Sequence, residues 1–105
     1  MTLELMSNLG PKTTGIEGAI LWVSVRDGGS PRLWVVLGIS LSPENLKTAV
    51  IVTLTSPPEV RGELPPEVAE QVARFVDKNR EALLRYRNAE IGTREMLDAL
   101  EPVSP

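Results

Sequence analysis

Hydrophobic residues in the first half of the chain fall in three runs that are rich in β-branched and aromatic side chains. The runs cover residues 19–25, 33–39 and 48–55, and segments containing glycine, proline or asparagine separate them. Runs of this kind are typical of β-strands, and short connections favour antiparallel neighbours. The sequence therefore predicts a three-stranded antiparallel meander, with residues 60–64 as a candidate short edge strand.

A different spacing follows the two prolines that precede Glu67. From Val68 to Tyr86, apolar residues recur every three or four positions, which is the period of an α-helix with one buried face. Pro66 suits the first turn of such a helix, which we expect to end near Arg87. Asn79 is the polar member of the apolar stripe, and we expect its side chain to satisfy a backbone group of a nearby loop or strand end.

A second, shorter helix is predicted near the end of the chain. Thr93 belongs to the residue types that favour the N-cap position. Met96, Leu97 and Leu100 follow at a spacing that allows one inner helical face. We therefore expect all three side chains to point into the core.

Strands that precede helices along the chain favour an α+β fold, with the long and the short helix packed on one face of the sheet. A chain of 105 residues is sufficient for one hydrophobic core. We expect a single domain over residues 16–101, a flexible N-terminal arm at residues 1–15 and a C-terminal tail at residues 102–105.

The predicted sheet has two faces, because side chains alternate across a strand. One face is wholly apolar and is the face that the helices would cover. The other face carries Trp22, Trp34, Arg26 and Arg32. If the two arginines pair across the hairpin, Trp34 lies opposite Ser24 and diagonal to Trp22.

The helical residues suffice to cover only one of these faces. The second face is then exposed to water, covered by the N-terminal arm, or buried by a partner. Tryptophan and arginine are enriched at interface hot spots, and exposed apolar patches mark contact sites. Trp22, Trp34, Arg26 and Arg32 are therefore candidate partner-binding residues, for a second copy in a homodimer or for another protein. The structural alternative is that the arm covers both tryptophans as ordinary packing residues.

The composition removes several kinds of chemistry. The chain has no histidine and no cysteine, so it lacks Ser–His–Asp and Cys–His catalytic groups and the usual zinc ligands. It has no phosphate-binding loop. Its paired carboxylates flank prolines or lie near a helix start, where solvated surface roles are the ordinary ones. We predict a protein that is not an enzyme, with no catalytic, metal or cofactor site.

Charge and segment patterns constrain the partner and the compartment. The net charge of −3 gives no overall attraction to nucleic acid. A sheet face with aromatic and arginine side chains can nevertheless stack bases, which leaves nucleic-acid binding as the alternative function. The chain has no signal-peptide pattern and no apolar run long enough to span a membrane, and the lack of cysteine fits a reducing compartment. We expect a cytoplasmic protein with no membrane partner.

Three segments in the second half of the chain carry a family resemblance. They read GELPP at residues 62–66, VDKNREALL at 76–84 and EIGT at 90–93. They resemble the second half of small bacterial proteins of domain-of-unknown-function family 4160, and the resemblance covers the last two-thirds of the chain. It implies a β-hairpin followed by a long helix, in proteins associated with toxin–antitoxin-like modules.

The first half departs from the pattern of that family. The family has a proline followed by a strand of the His-Phe-His-Val type, whereas here Pro31 is followed by Arg32, Leu33, Trp34 and Val35. If those histidines carry the activity of the family, this chain lacks it. The combined expectation is a small non-catalytic regulatory or interaction protein of bacterial or phage type. It would act by protein–protein binding or homodimerisation, in association with a toxin–antitoxin-like system.

Overall fold

A computed structural model describes residues 6–24, 31–37 and 49–103 of the chain. Its strands are β1 (Met6–Leu9), β2 (Ala19–Ser24), β3 (Arg32–Leu37), β4 (Val50–Thr53) and β5 (Val60–Arg61). Its helices are α1 (Pro11–Thr14), α2 (Pro66–Arg87) and α3 (Thr93–Ala99). The strands form one antiparallel sheet in the order β1-β2-β3-β4-β5, and α2 and α3 pack against it. The predicted α+β class is confirmed. The sheet contains the three predicted strands, β5 within the candidate edge strand at residues 60–64, and β1, which was not predicted.

The described part of the predicted N-terminal arm is built into the sheet. β1 pairs with β2, where Leu9 lies opposite Leu21, and the Leu9 side chain is fully buried. Pro11 occupies the first turn of α1, and the helix ends at Gly15, whose φ of 80° is left-handed. β1 has only four residues, too few for an alternating pattern to reveal it. Leu3 and Leu5 lie outside the described residues.

The main hydrophobic core lies between the sheet and α2. The bounds of α2 agree with the predicted helix, and its apolar stripe contributes Val72, Phe75, Val76, Leu83 and Tyr86 to the core. Fully burying a side chain of this size stabilises the fold by about 1.5–3 kcal/mol. Among the described residues, no helix is both long enough and apolar enough to cross a membrane.

The start of α3 differs from the prediction by one residue. Gly92 is the N-cap and Thr93 is the first helical residue. The Gly92 backbone N–H donates to Glu95 Oε1 at 3.3 Å, which satisfies a donor at the helix start. The Thr93 hydroxyl instead donates to the hydroxyl of Tyr86 at 3.2 Å and so connects α3 to α2.

The inner face of α3 is narrower than predicted. Met96 and Leu100 are buried, as expected for residues four positions apart, whereas Leu97 is 40% exposed. The prediction for Leu97 is wrong because a helix of seven residues presents only one narrow stripe to its neighbour.

The C-terminal segment, residues 101–103, is hydrogen-bonded to both α2 and α1. The Asn79 side chain is buried, its Nδ2 donates to Phe75 O and Glu101 O, and its Oδ1 accepts from the Glu101 backbone N–H at 2.7 Å. The structural role predicted for Asn79 is therefore confirmed. Two residues on, the Val103 backbone N–H donates to Thr14 O at 2.8 Å. The start of the predicted tail is thus fixed between α2 and α1.

Gly15 is required where this segment meets α1. A Cβ atom at Gly15 would lie 2.1 Å from the carbonyl oxygen of Val103, and the backbone there is left-handed. Only glycine allows this close approach without strain. The contact holds the segment around Val103 against the end of α1.

Candidate interaction surface on the second sheet face

The sheet face opposite α2, called the second face below, carries a row of five side chains across all five strands. Trp22 lies opposite Trp34, and Trp34 lies opposite Ile51. Asn8 on β1 and Arg61 on β5 complete the row at its two ends. Both tryptophans therefore share one face, as predicted.

The pairing between β2 and β3 is shifted by two residues from the predicted register. Trp34 faces Trp22 directly instead of Ser24. A shift of two residues keeps every side chain on its face, whereas a shift of one would have reversed them. The predicted contact between Arg26 and Arg32 cannot be compared, because Arg26 lies outside the described residues.

Part of the second face is buried and has little contact with solvent. Ile20, Trp22 and Val36 form a small buried cluster, and Trp22 is only 8% exposed. The indole N–H of Trp22 is buried and has no hydrogen-bond partner among the described residues. β1 lies beside Trp22 in the plane of the sheet, so the described part of the predicted arm does not lie over the tryptophans. Trp22 therefore belongs to a packed region and has little surface for a partner.

Another part of the second face is open, and Trp34 lies at its centre. Trp34 is half-buried, and the guanidinium carbon of Arg32 lies 5.2 Å from the centroid of its ring. This distance suits a cation–π contact. Ile51 beside Trp34 is half-buried, and the Arg61 side chain is 63% exposed. These four residues, Arg32, Trp34, Ile51 and Arg61, are called the open strip below.

The charge of the open strip is positive. Arg32 and Arg61 are its two charged members, and Glu59 Oε2 lies 3.9 Å from Arg61 Nη2. Both of these partners are more than 60% exposed, so water screens their attraction strongly. An acidic group on another molecule would therefore compete with Glu59 for the exposed Arg61 guanidinium.

A hydrogen-bonded turn fixes the edge of the open strip. The Thr53 hydroxyl bonds to the Thr55 hydroxyl at 2.7 Å and accepts from the Glu59 backbone N–H at 2.8 Å. Arg80 on α2 donates to Thr55 O and to the Asp77 carboxylate, so the turn is attached to the long helix. Because these bonds hold the connection between β4 and β5, Ile51 and Arg61 keep their places in the row.

A groove of about 320 Å³ lies between α2, α3 and the C-terminal segment, and it offers no comparable surface. Lys78 and Arg85 line it together with Glu81 and Glu101, so its charges compensate one another. The side chain of Asn79, at its base, already uses both polar atoms on the backbone. Within the described part of the chain, no cluster of acidic side chains is suited to hold a metal ion.

The sequence reasoning selected half of the open strip. Trp34 and Arg32 were candidates and do lie together, whereas Trp22 was also a candidate and is buried. Residues 60–64 were a candidate edge strand, but Arg61 was missed because a strand of two residues gives no alternating pattern that assigns its side chains to a face. Its opposition to Ile51 could be recognised only once β4 and β5 were paired.

Comparison with known proteins identifies no relative of this chain. No family model matches the sequence, and no curated protein and no solved structure matches it. The resemblance to domain-of-unknown-function family 4160 stays a prediction. The interpretation of the second face therefore depends on the residues that form it.

Proposed function

We propose that this chain is a non-catalytic interaction protein that binds an acidic segment of another protein on the open strip. The observation that carries the proposal is the half-buried Trp34, with the Arg32 guanidinium carbon 5.2 Å from the centroid of its ring, on the sheet face away from α2. Arginine and tryptophan side chains contribute a disproportionate share of binding energy at protein interfaces. The resemblance to domain-of-unknown-function family 4160 would imply that this binding regulates a toxin–antitoxin-like system.

The open strip combines the two kinds of contact that such a segment needs. Trp34 and Ile51 offer apolar surface for an aromatic or aliphatic side chain of the partner. The exposed Arg61 guanidinium can bind a carboxylate through two N–H groups, which gives direction as well as attraction, and Arg32 adds positive charge beside Trp34. Trp34 and Ile51 are direct neighbours on adjacent strands, so a short extended segment could contact both.

A homodimer formed through this surface is less favourable than binding another protein. Ile20, Trp22 and Val36 are already buried within the chain, so little apolar surface remains on the second face. A stable interface usually buries about 800 Å² on each partner. Two open strips facing each other would also bring arginines close to arginines, and like charges opposite one another are destabilising.

Nucleic-acid binding is the second candidate, and the burial of Trp22 weakens it. A single-stranded nucleic acid needs exposed rings on which successive bases stack. Only Trp34 offers such a ring on the described part of this face. The net charge of −3 also opposes a polyanion.

The proposal is tested with the substitution Trp34→Ser and the matched control Leu97→Ser. Leu97 is an exposed apolar residue on α3, away from the sheet. Each variant and the parent protein are immobilised and incubated with an extract of the source cells. Any protein retained by the parent and by Leu97→Ser, but lost with Trp34→Ser, is identified, purified and titrated against all three by calorimetry.

We expect the purified partner to bind Trp34→Ser at least about 10-fold more weakly than the parent, and Leu97→Ser equally well. Arg32→Ala should weaken binding in the same direction. Retention that does not depend on Trp34 would contradict the proposal. Trp34-dependent binding of a single-stranded oligonucleotide that weakens steeply with salt would support the nucleic-acid alternative instead.

A further inference from the structure

The two edges of the sheet are built differently. β5, at one edge, has only two residues, and it contains Arg61 next to the charged Glu59. Gly62 follows it, and prolines precede and follow the strand in the sequence. Short length, charge and proline are the devices by which proteins prevent an edge strand from pairing with another chain.

β1, at the other edge, is also short and is followed by Pro11 two residues on, but it differs from β5 in carrying no charge. It has four residues, Met6–Leu9, with no charge and no proline. Within the described part of the chain, β2 is the only strand that pairs with it. The Asn8 side chain is exposed, so solvent reaches this edge on the second face. An uncharged edge strand presents backbone N–H and C=O groups to another strand with no charge to oppose the pairing.

We propose that β1 pairs with β1 of a second copy of this chain, in antiparallel orientation about a two-fold axis perpendicular to the sheet. The two sheets then become one continuous sheet, with the helices of both copies on the same side. A two-fold interface brings each residue close to its own symmetry mate. A strand can pair with itself in this way only if it carries no charge that would oppose itself, and β1 meets that condition.

Asn8 is the side chain that this arrangement brings to the two-fold axis. Directly opposed residues in an antiparallel pair point to the same face. Asn8 therefore lies opposite its symmetry mate or two residues away from it. An asparagine amide has both donors and acceptors, so two of them can hydrogen-bond to each other. A charged side chain at the same position would repel its mate.

This inference goes beyond the proposed function and does not depend on it. The dimer is formed by β1, whereas the partner protein is bound by β3, β4 and β5. The two open strips would face the same side of the continuous sheet, since the two-fold axis keeps each face on its side. A partner with two acidic segments could then bind both copies at once, with higher avidity than one copy gives.

The test is the solution mass of the full chain, measured by sedimentation velocity from about 1 µM to about 1 mM, since a four-residue edge gives a weak, concentration-dependent dimer. The variants are Asn8→Lys, Asn8→Asp and the control Glu59→Lys at the opposite edge. Circular dichroism checks that each variant is folded. We expect the parent and the control to dimerise alike, and each Asn8 variant alone to dimerise at least about 10-fold more weakly.

An equimolar mixture of Asn8→Lys and Asn8→Asp should recover the dimer, because unlike charges then meet at the two-fold axis. A monomeric parent at all concentrations would overturn the inference, as would Asn8 variants that dimerise as tightly as the parent. Trp34→Ser separates this result from the proposed function. It should leave the mass unchanged, and loss of the dimer in Trp34→Ser alone would place the contact on the open strip and overturn the assignment to β1.

Discussion

The two faces of the sheet differ in how completely they are covered. On the helix side, α2 packs residues such as Phe75 and Leu83 against β2, β3 and β4 until they have no exposed surface. On the described part of the second face, the buried apolar residues form a small cluster around Trp22, and Trp34 beside it is only half-buried under Arg32. The difference indicates that stability is concentrated on one face and that the other retains solvent-accessible surface at Trp34, the surface on which the proposed function depends.

Removing a large side chain from each face should reveal this difference in stability most strongly. Phe75→Ala removes a ring with no exposed surface, and we expect the free energy of unfolding to fall by about 3–5 kcal/mol. Trp34→Ala removes a ring that is already partly in water, and we expect a loss of about 1–2 kcal/mol. Urea denaturation followed by circular dichroism measures both values.

If Phe75→Ala does not fold, Phe75→Leu gives the same comparison at a smaller loss. Equal destabilisation by the Phe75 and Trp34 substitutions would mean that the second face is packed as tightly as the first. The distinction between a stabilising face and a contact face would then be lost.

Hydrogen bonds also stabilise the helix side of the protein. A substitution at Asn79 measures how much they contribute to the free energy of unfolding. Asn79→Ala leaves the Glu101 backbone N–H and C=O without their partner, and we expect a loss of about 2–3 kcal/mol. Lys78→Ala is the matched control on α2, because it removes only an exposed contact to Pro102 O. We expect that control to cost less than about 0.5 kcal/mol.

Hydrogen exchange gives the local readout for the same pair of variants. The Glu101 amide should exchange faster in Asn79→Ala and at the parental rate in Lys78→Ala, because only the first variant removes its acceptor. Slow exchange at Glu101 in Asn79→Ala would show that the C-terminal segment is held by other contacts.

Most of the fold could be predicted from long periodic patterns in the sequence. The stripe of α2 repeats over six turns of helix, so its bounds and the exceptional Asn79 could be read directly. The alternation in β2 and β3 was enough to place both tryptophans on one face, although the register was wrong by two residues. Parity along a strand survives such an error, whereas the identity of the opposite residue does not.

Short elements and burial could not be read in the same way. β1 was not predicted, and β5 was only a candidate within residues 60–64. Both are strands because of the neighbours with which they pair, and neither shows an alternating pattern of its own. Leu97 has the apolar character of a core residue, yet it lies off the single stripe by which α3 contacts α2. The unequal exposure of Trp22 and Trp34 depends on the surroundings of each ring, which no local spacing encodes.

That inequality between the two tryptophans is tested most directly by fluorescence quenching of single-tryptophan variants. Trp22→Phe leaves Trp34 as the only emitter, and Trp34→Phe leaves Trp22. With acrylamide, a neutral quencher, we expect Trp34 to be quenched several-fold more strongly and to emit at longer wavelength than Trp22. Equal quenching of the two rings, or stronger quenching of Trp22, would contradict a second face that is closed at Trp22 and open at Trp34.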